Sequence, residues 1–273
     1  MVKKYLRSFD GTKIFYDINK NENKFLVFLH GWPHNHTVWN KQLNYFHKKK
    51  YSTLTLDLRG HGKSDKPKKL EDYSFDKFAR DINLIIKKEK IKKMILIGHS
   101  FGGMIALTYY SLFPKETEAL VLIDTIYEDP LKKKPLIKQF YQTPLTIHAL
   151  KFILGNDSLK KKHFKYINFS KFKDHSDFFY WIKGAEETPM RSIFACFKKM
   201  IKFDKKKVLS KIDVPVLIIQ GEEDIRTPMW VAKTMQKQIK KSYLKIIKGA
   251  SHDTNIRNPN VVAEAILEFL KSL

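Results

Sequence analysis

Hydrophobic and polar positions follow two patterns that take turns along the chain. Lys24-Phe-Leu-Val-Phe-Leu-His30 is a continuous apolar run, the pattern of a strand buried on both faces. Similar short runs recur at Ser52–Asp57, Met94–Gly98, Ala119–Asp124, Val214–Gln220 and Tyr243–Ile247. Between most of them apolar residues return at helical spacing, over Val38–His47, Phe75–Lys88, Met104–Phe113, Trp230–Ile239 and Val261–Leu270. Strand and helix in alternation predict an α/β fold, a mostly parallel central sheet with helices on both faces. Ahead of it, residues 3–8 and 13–18 flank Asp10-Gly11, a hairpin turn signal.

The alternation stops between Tyr127 and Lys205. That stretch reads as mostly amphipathic helix with aromatic clusters, Phe178-Phe-Tyr-Trp181 among them, and strand–helix order resumes at Val214. The pattern predicts a core made of residues 1–126 and 206–273, interrupted by a helical cap over 127–205. Phe178 and Trp181 are candidate pocket-lining residues, although such a cluster also serves as the interior of a cap. A chain of 273 residues with 20 Phe and 12 Tyr can bury a sizeable interior and is not disordered.

Charge changes this picture little. The net charge of +24 invites a nucleic-acid or anionic-surface reading. Of the 52 basic residues, however, 46 are Lys and only six are Arg, the better reader of phosphates and bases. The lysines are also spread evenly, whereas a binding face concentrates charge, so a solvated surface is the expectation. No apolar run is long enough to cross a membrane, and charges near Met1 interrupt any apolar leader. The single cysteine, Cys196, excludes an internal disulfide and fits a reducing compartment; the expected location is the cytoplasm.

The chemistry is carried by three separated segments. Gly98-His-Ser-Phe-Gly102 follows a strand-like run and opens a helical one; about 0.02 chance matches to Gly-x-Ser-x-Gly are expected at this composition. A sharp turn there lifts the Ser100 hydroxyl clear of the sheet. A serine is a poor nucleophile without a base, and His252 lies in the polar loop Gly249-Ala-Ser-His-Asp253 after the last strand-like run. The imidazole needs an orienting acid, and Gly221-Glu-Glu-Asp224 offers one at a strand end. Asp224 is the first candidate, with Glu223 and Asp124 as alternatives. Backbone N–H groups of Phe101, directly after the serine, and of Trp32, in the loop His30-Gly-Trp-Pro33, are the candidate oxyanion donors; Pro33 has none to give. The Trp32 indole is a candidate pocket wall, and His30 is expected to hold the loop.

These segments, with Asp57-Leu-Arg-Gly-His-Gly-Lys-Ser64, resemble the α/β-hydrolase superfamily in its cap-bearing, serine-dependent branch, over nearly the whole core. The resemblance implies a nucleophile elbow at Ser100 and the chain order Ser100, Asp224, His252. His-Gly-x-Pro is also similar to epoxide hydrolases and haloalkane dehalogenases, but their nucleophile is an aspartate. A carboxylate attacking carbon leaves an ester that water can open; a serine would leave an ether with no carbonyl. Ser100 therefore implies acyl chemistry on a small-molecule ester of small or medium size, with no metal or organic cofactor. Similar scaffolds also run perhydrolysis, lactone opening and carbon–carbon cleavage. Outside catalysis stand two further alternatives, a binding module that kept the fold and a Lys-rich module for nucleic acid or an anionic surface. Oligomeric state and natural substrate are not written in these motifs.

Overall fold

The computed structural model describes residues 1–21, 23–129, 132 and 184–273. An eight-stranded sheet runs in the order β1-β2-β4-β3-β5-β6-β7-β8. Its strands are β1 (Val2–Arg7), β2 (Lys13–Asn19), β3 (Asn23–Leu29), β4 (Tyr51–Leu56), β5 (Met94–His99), β6 (Thr117–Ile123), β7 (Val216–Gly221) and β8 (Ser242–Ile247). β1–β2 and β2–β4 pair antiparallel, and every other neighbour is parallel. Asp10-Gly11 lies in the hairpin between β1 and β2, where Arg7 pairs with Lys13 and Gly11 takes a φ of 84°. After β3 the chain passes first to one side of it, as β4, and then to the other, as β5. Open parallel sheets gather their ligands at such a reversal, outside the carboxyl ends of the strands.

Each central strand feeds two interiors, because successive side chains point to opposite faces. Val27 and Leu29 of β3 and Leu96 of β5 enter one cluster; Leu26, Phe28, Ile95 and Ile97 enter the other. The first is covered by α2 (Phe75–Lys88), α3 (Phe101–Leu112) and α6 (Met229–Gln238), the second by α1 (Asn40–Lys48) and α8 (Pro259–Lys271). α2 shows why these residues form a helix: Phe78, Ile82, Ile85 and Ile86 fall on one buried stripe, and the Ser74 hydroxyl caps the first turn by accepting from the Lys77 N–H. α3 begins at Phe101, three residues earlier than its pattern predicts. It is buried from Phe101 through Tyr110, and a helix enclosed all round has no polar face to mark its start. β8, which reads as an interior strand, is the exposed edge of the sheet, and Lys245 and its flanking Lys240, Lys241 and Lys248 keep that edge charged.

Further helices are α4 (Met190–Met200), α5 (Lys206–Leu209) and α7 (Thr254–Arg257), with 3-10 turns at His36–Trp39, Leu70–Tyr73 and Pro114–Glu116. The segment expected to form a cap leaves and rejoins the core at one place, since the Lys205 N–H donates to Tyr127 O at 2.7 Å and the backbones of Glu128 and Asp204 pair antiparallel. No described helix is long and apolar enough to cross a membrane.

Arg59 anchors the N-terminal half. Fully buried, it grips both Asp81 oxygens through Nε and Nη2 at 2.7 Å each, while Nη1 donates to Asp10 at 2.8 Å and to Asp72 O at 2.9 Å. Removing one partner of a buried pair strands the other charge. Asp81→Ala is expected to lower unfolding stability by about 3–5 kcal/mol in urea titration, with the sheet's circular dichroism retained in water.

Candidate active site

Ser100 sits between β5 and α3 in a backbone conformation that side chains rarely adopt, φ 51° and ψ −115°. Such a turn stores roughly 1–3 kcal/mol and persists only when its surroundings hold it. Here the Ser100 N–H donates to Ile123 O at 2.9 Å, and the Thr125 hydroxyl donates to Ser100 O at 2.6 Å. Two glycines let the turn close. A Cβ on Gly98 would lie 2.4 Å from Gly102 O, and one on Gly102 would lie 2.3 Å from Leu29 O. Strand, turn and helix are therefore packed backbone against backbone, with the hydroxyl at the crest.

The imidazole of His252 stands beside it, Nε2 2.9 Å from Ser100 Oγ and Nδ1 2.8 Å from Asp224 Oδ2. With the proton on Nδ1 donated to the carboxylate, Nε2 is the acceptor for the serine hydroxyl. Asp224 is buried and well satisfied: Oδ1 accepts from the N–H groups of Arg226 at 2.8 Å and Thr227 at 3.0 Å, and Oδ2 accepts from the Thr227 hydroxyl. Burial pushes its carboxyl up, but His252 and Thr227 outweigh that and hold it below the usual carboxylate range. Burial likewise pulls His252 down, and the hydrogen bond and charge of Asp224, aided by Asp253 and Asp124, leave it raised above 6.5. Glu223 is exposed, and Asp124 accepts from backbone N–H groups instead; neither acid makes the hydrogen bond to His252.

The first turn of α3 presents the Phe101 N–H, one of the helix-end donors without an intrahelical acceptor. Trp32 is half-buried against the cluster that contains Phe101, and its bond to Pro33 is cis. His30 is buried, donates from Nδ1 to Gly31 O at 2.9 Å and accepts at Nε2 from the Leu58 N–H at 3.1 Å. Burial brings its pKa down to about 4, so the neutral ring ties the β3 loop to the loop after β4. Phe178 and Trp181 lie outside the described residues.

Supporting residues that no sequence pattern marks surround these groups. His99 Nε2 donates to His252 O at 2.9 Å, and Gln220 Nε2 reaches Thr227 O at 2.8 Å beneath the Asp224 turn. His99 could have been noticed only as the residue before the serine. Among the described residues, His34, His99 and Asp253 are the buried group whose potential metal-ligating atoms converge, within 4.8 Å of one another. A Cβ on Gly31 would fall 2.6 Å from His99 Nδ1, so this nitrogen is covered closely by backbone. All three side chains are buried.

The chain resembles known proteins along its whole length. It is 25% identical over 294 residues to the bifunctional esterase/perhydrolase DCH of Acinetobacter calcoaceticus, covering 98% of this chain and 99% of that one. It is 26% identical over 292 residues to epoxide hydrolase 3 of Xenopus tropicalis, covering 98% and 77%. Among solved structures, a bromoperoxidase from Bacillus anthracis superposes with a TM-score of 0.79 at 25% identity, over 99% of this chain and 100% of that one. The family model of the α/β hydrolase fold matches residues 24–259. With its parallel sheet, its strained turn after β5 and this match over most of its length, the chain belongs to the α/β-hydrolase fold family.

Proposed function

We propose that this protein is a serine hydrolase of carboxylic esters that works through an acyl-enzyme. What carries the reading is the unbroken chain of hydrogen-bond distances from Ser100 Oγ through His252 to Asp224, 2.9 and 2.8 Å. Ser100 attacks the ester carbonyl as His252 Nε2 takes its proton. Asp224 holds the ring in the required tautomer and stabilises the imidazolium. The N–H groups of Phe101 and Trp32 receive the developing oxyanion. His252 then gives its proton to the leaving alcohol, and a water activated by the same imidazole releases the acid and restores Ser100.

The chemistry needs no metal or organic cofactor, because every proton and electron pair moves between these side chains, the substrate and water. Relatives named epoxide hydrolases do not extend that activity here. An alkyl ether on Ser100 would have no carbonyl for water to open, so an epoxide would be a dead end. Perhydrolysis is the second reading, favoured by the esterase/perhydrolase relative. It differs only in peroxide replacing water at the acyl-enzyme. We further assign 127–205 to a cap that selects substrate, since its two ends meet at Tyr127 and Lys205. Phe178 and Trp181 are its proposed pocket residues, and the proposed setting is a reducing cytoplasm.

Ser100→Ala is expected to reduce p-nitrophenyl butyrate turnover by roughly 10⁶-fold, to background, in a chain that unfolds at the wild-type temperature; full activity would refute the assignment. Asp224→Asn is expected to lower kcat on the order of 10⁴-fold by freeing the wrong tautomer, measured on the same ester. Only neutral His252 can accept the serine proton, and its pKa is raised. The rate is therefore expected to climb with pH through an acid limb centred above 6.5, read from kcat/KM.

A further inference from the structure

We propose that Asp124 is a positioning residue for this reaction: its carboxyl bridges the loops that carry Asp224 and His252 and fixes their separation. The role rests on the serine-hydrolase reading above. Asp124 follows β6 in a left-handed backbone conformation, φ 45°, and its N–H donates to Ile219 O at 2.9 Å, pinning it to β7. The side chain is fully buried. Oδ1 accepts from the Gly221 N–H at 2.8 Å, where β7 ends and the Asp224 loop begins. Oδ2 accepts from the Thr254 N–H at 3.3 Å, two residues beyond His252.

One carboxyl is thus tied to both loops, and the loops touch beside it. A Cβ on Gly221 would meet Ser251 O at 2.5 Å and Ala250 O at 2.6 Å, so any larger residue would wedge them apart. His99 adds a third tie, since Nε2 donates to His252 O and lies 4.0 Å from Asp124 Oδ2. Nothing in the hydrolytic cycle uses Asp124 as nucleophile, base or oxyanion donor. Its place is underneath the machinery, where an error in loop spacing would move Nε2 relative to the serine hydroxyl.

The titratable groups facing this carboxyl are His252 on one loop and Asp224 on the other, with His99 Nε2 4.0 Å away at the end of β5; Asp253 acts on the same imidazole. Burial pushes Asp124 up and His252 pulls it down; the charge of Asp224 raises it again, leaving it at about 8. Its titration is therefore coupled to that of His252, the anion and the imidazolium each favouring the other. Removing the carboxylate lowers the proton affinity of His252.

The test compares wild type with Asp124→Asn on p-nitrophenyl butyrate across pH, alongside NMR titration of the histidine rings in the full chain. In the variant kcat is expected to fall about tenfold with KM within about twofold, as slight misplacement of reacting groups costs rate rather than binding. Its acid limb and the His252 titration are both expected to move to lower pH. An unshifted limb and an unshifted His252 overturn the proposal even if kcat drops, because a merely structural loss would lower the rate alone. If wild type turns over no ester, the functional reading fails, whereas the ring titration still decides the role of Asp124. Should the variant not fold, hydrogen-bond couplings in isotopically labelled wild type decide: couplings from the Gly221 and Thr254 amides to the Asp124 carboxyl support the clamp, and their absence overturns it.

Discussion

Everything at the carboxyl edge of the sheet depends on one strained residue being held in place. Ser100 cannot relax into ordinary helical or extended backbone, because Ile123, Thr125 and the glycine contacts at Gly98 and Gly102 fix the turn from three sides. The strain is local; the restraint comes from β3, β5, β6 and α3 together. The fold thus spends part of its packing energy on presenting one hydroxyl at a height ordinary secondary structure does not reach.

Electrostatics in the surrounding loops follows from burial. His30, His34 and His99 are enclosed and stay neutral; His30 holds its loop through one donor and one acceptor, and His99 donates to His252 O. His252 is just as enclosed but faces Asp224, Asp253 and Asp124, and its proton affinity goes the other way. Four histidines within one neighbourhood are thereby sorted into three passive rings and one ring able to carry charge. Desolvation alone would have made all four passive.

Much of the core was readable from the pattern of residues, because strands buried on both faces are continuous apolar runs. Ala119–Asp124 and Met94–Gly98 read as strands for that reason, and β6 and β5 lie there. The start of α3 was harder, since a helix wrapped in protein has no amphipathic edge. β8 reads as interior but lies at the edge, because a run facing one helix layer carries enough apolar residues to look enclosed while its other side is wet. Near Ser100, the segments bearing His252 and Asp224 could be picked out by turn residues after strands. Thr227, Gln220 and His99 could not, as their positions depend on how loops distant in sequence fold against each other. The choice among Asp224, Glu223 and Asp124 was open for the same reason. All three follow strands, and only the path of the backbone decides which oxygen meets Nδ1.

The abundance of lysine meets a boundary at Arg59. On the surface a flexible ammonium in water serves as well as any cation. Inside the N-terminal half, two carboxylates and a carbonyl converge from different directions on a space closed to solvent. A single-point cation would satisfy one of them and abandon the rest, so the planar fork is demanded there by geometry rather than by charge. However far the surface drifts toward lysine, this one interior position is expected to stay out of reach of that drift.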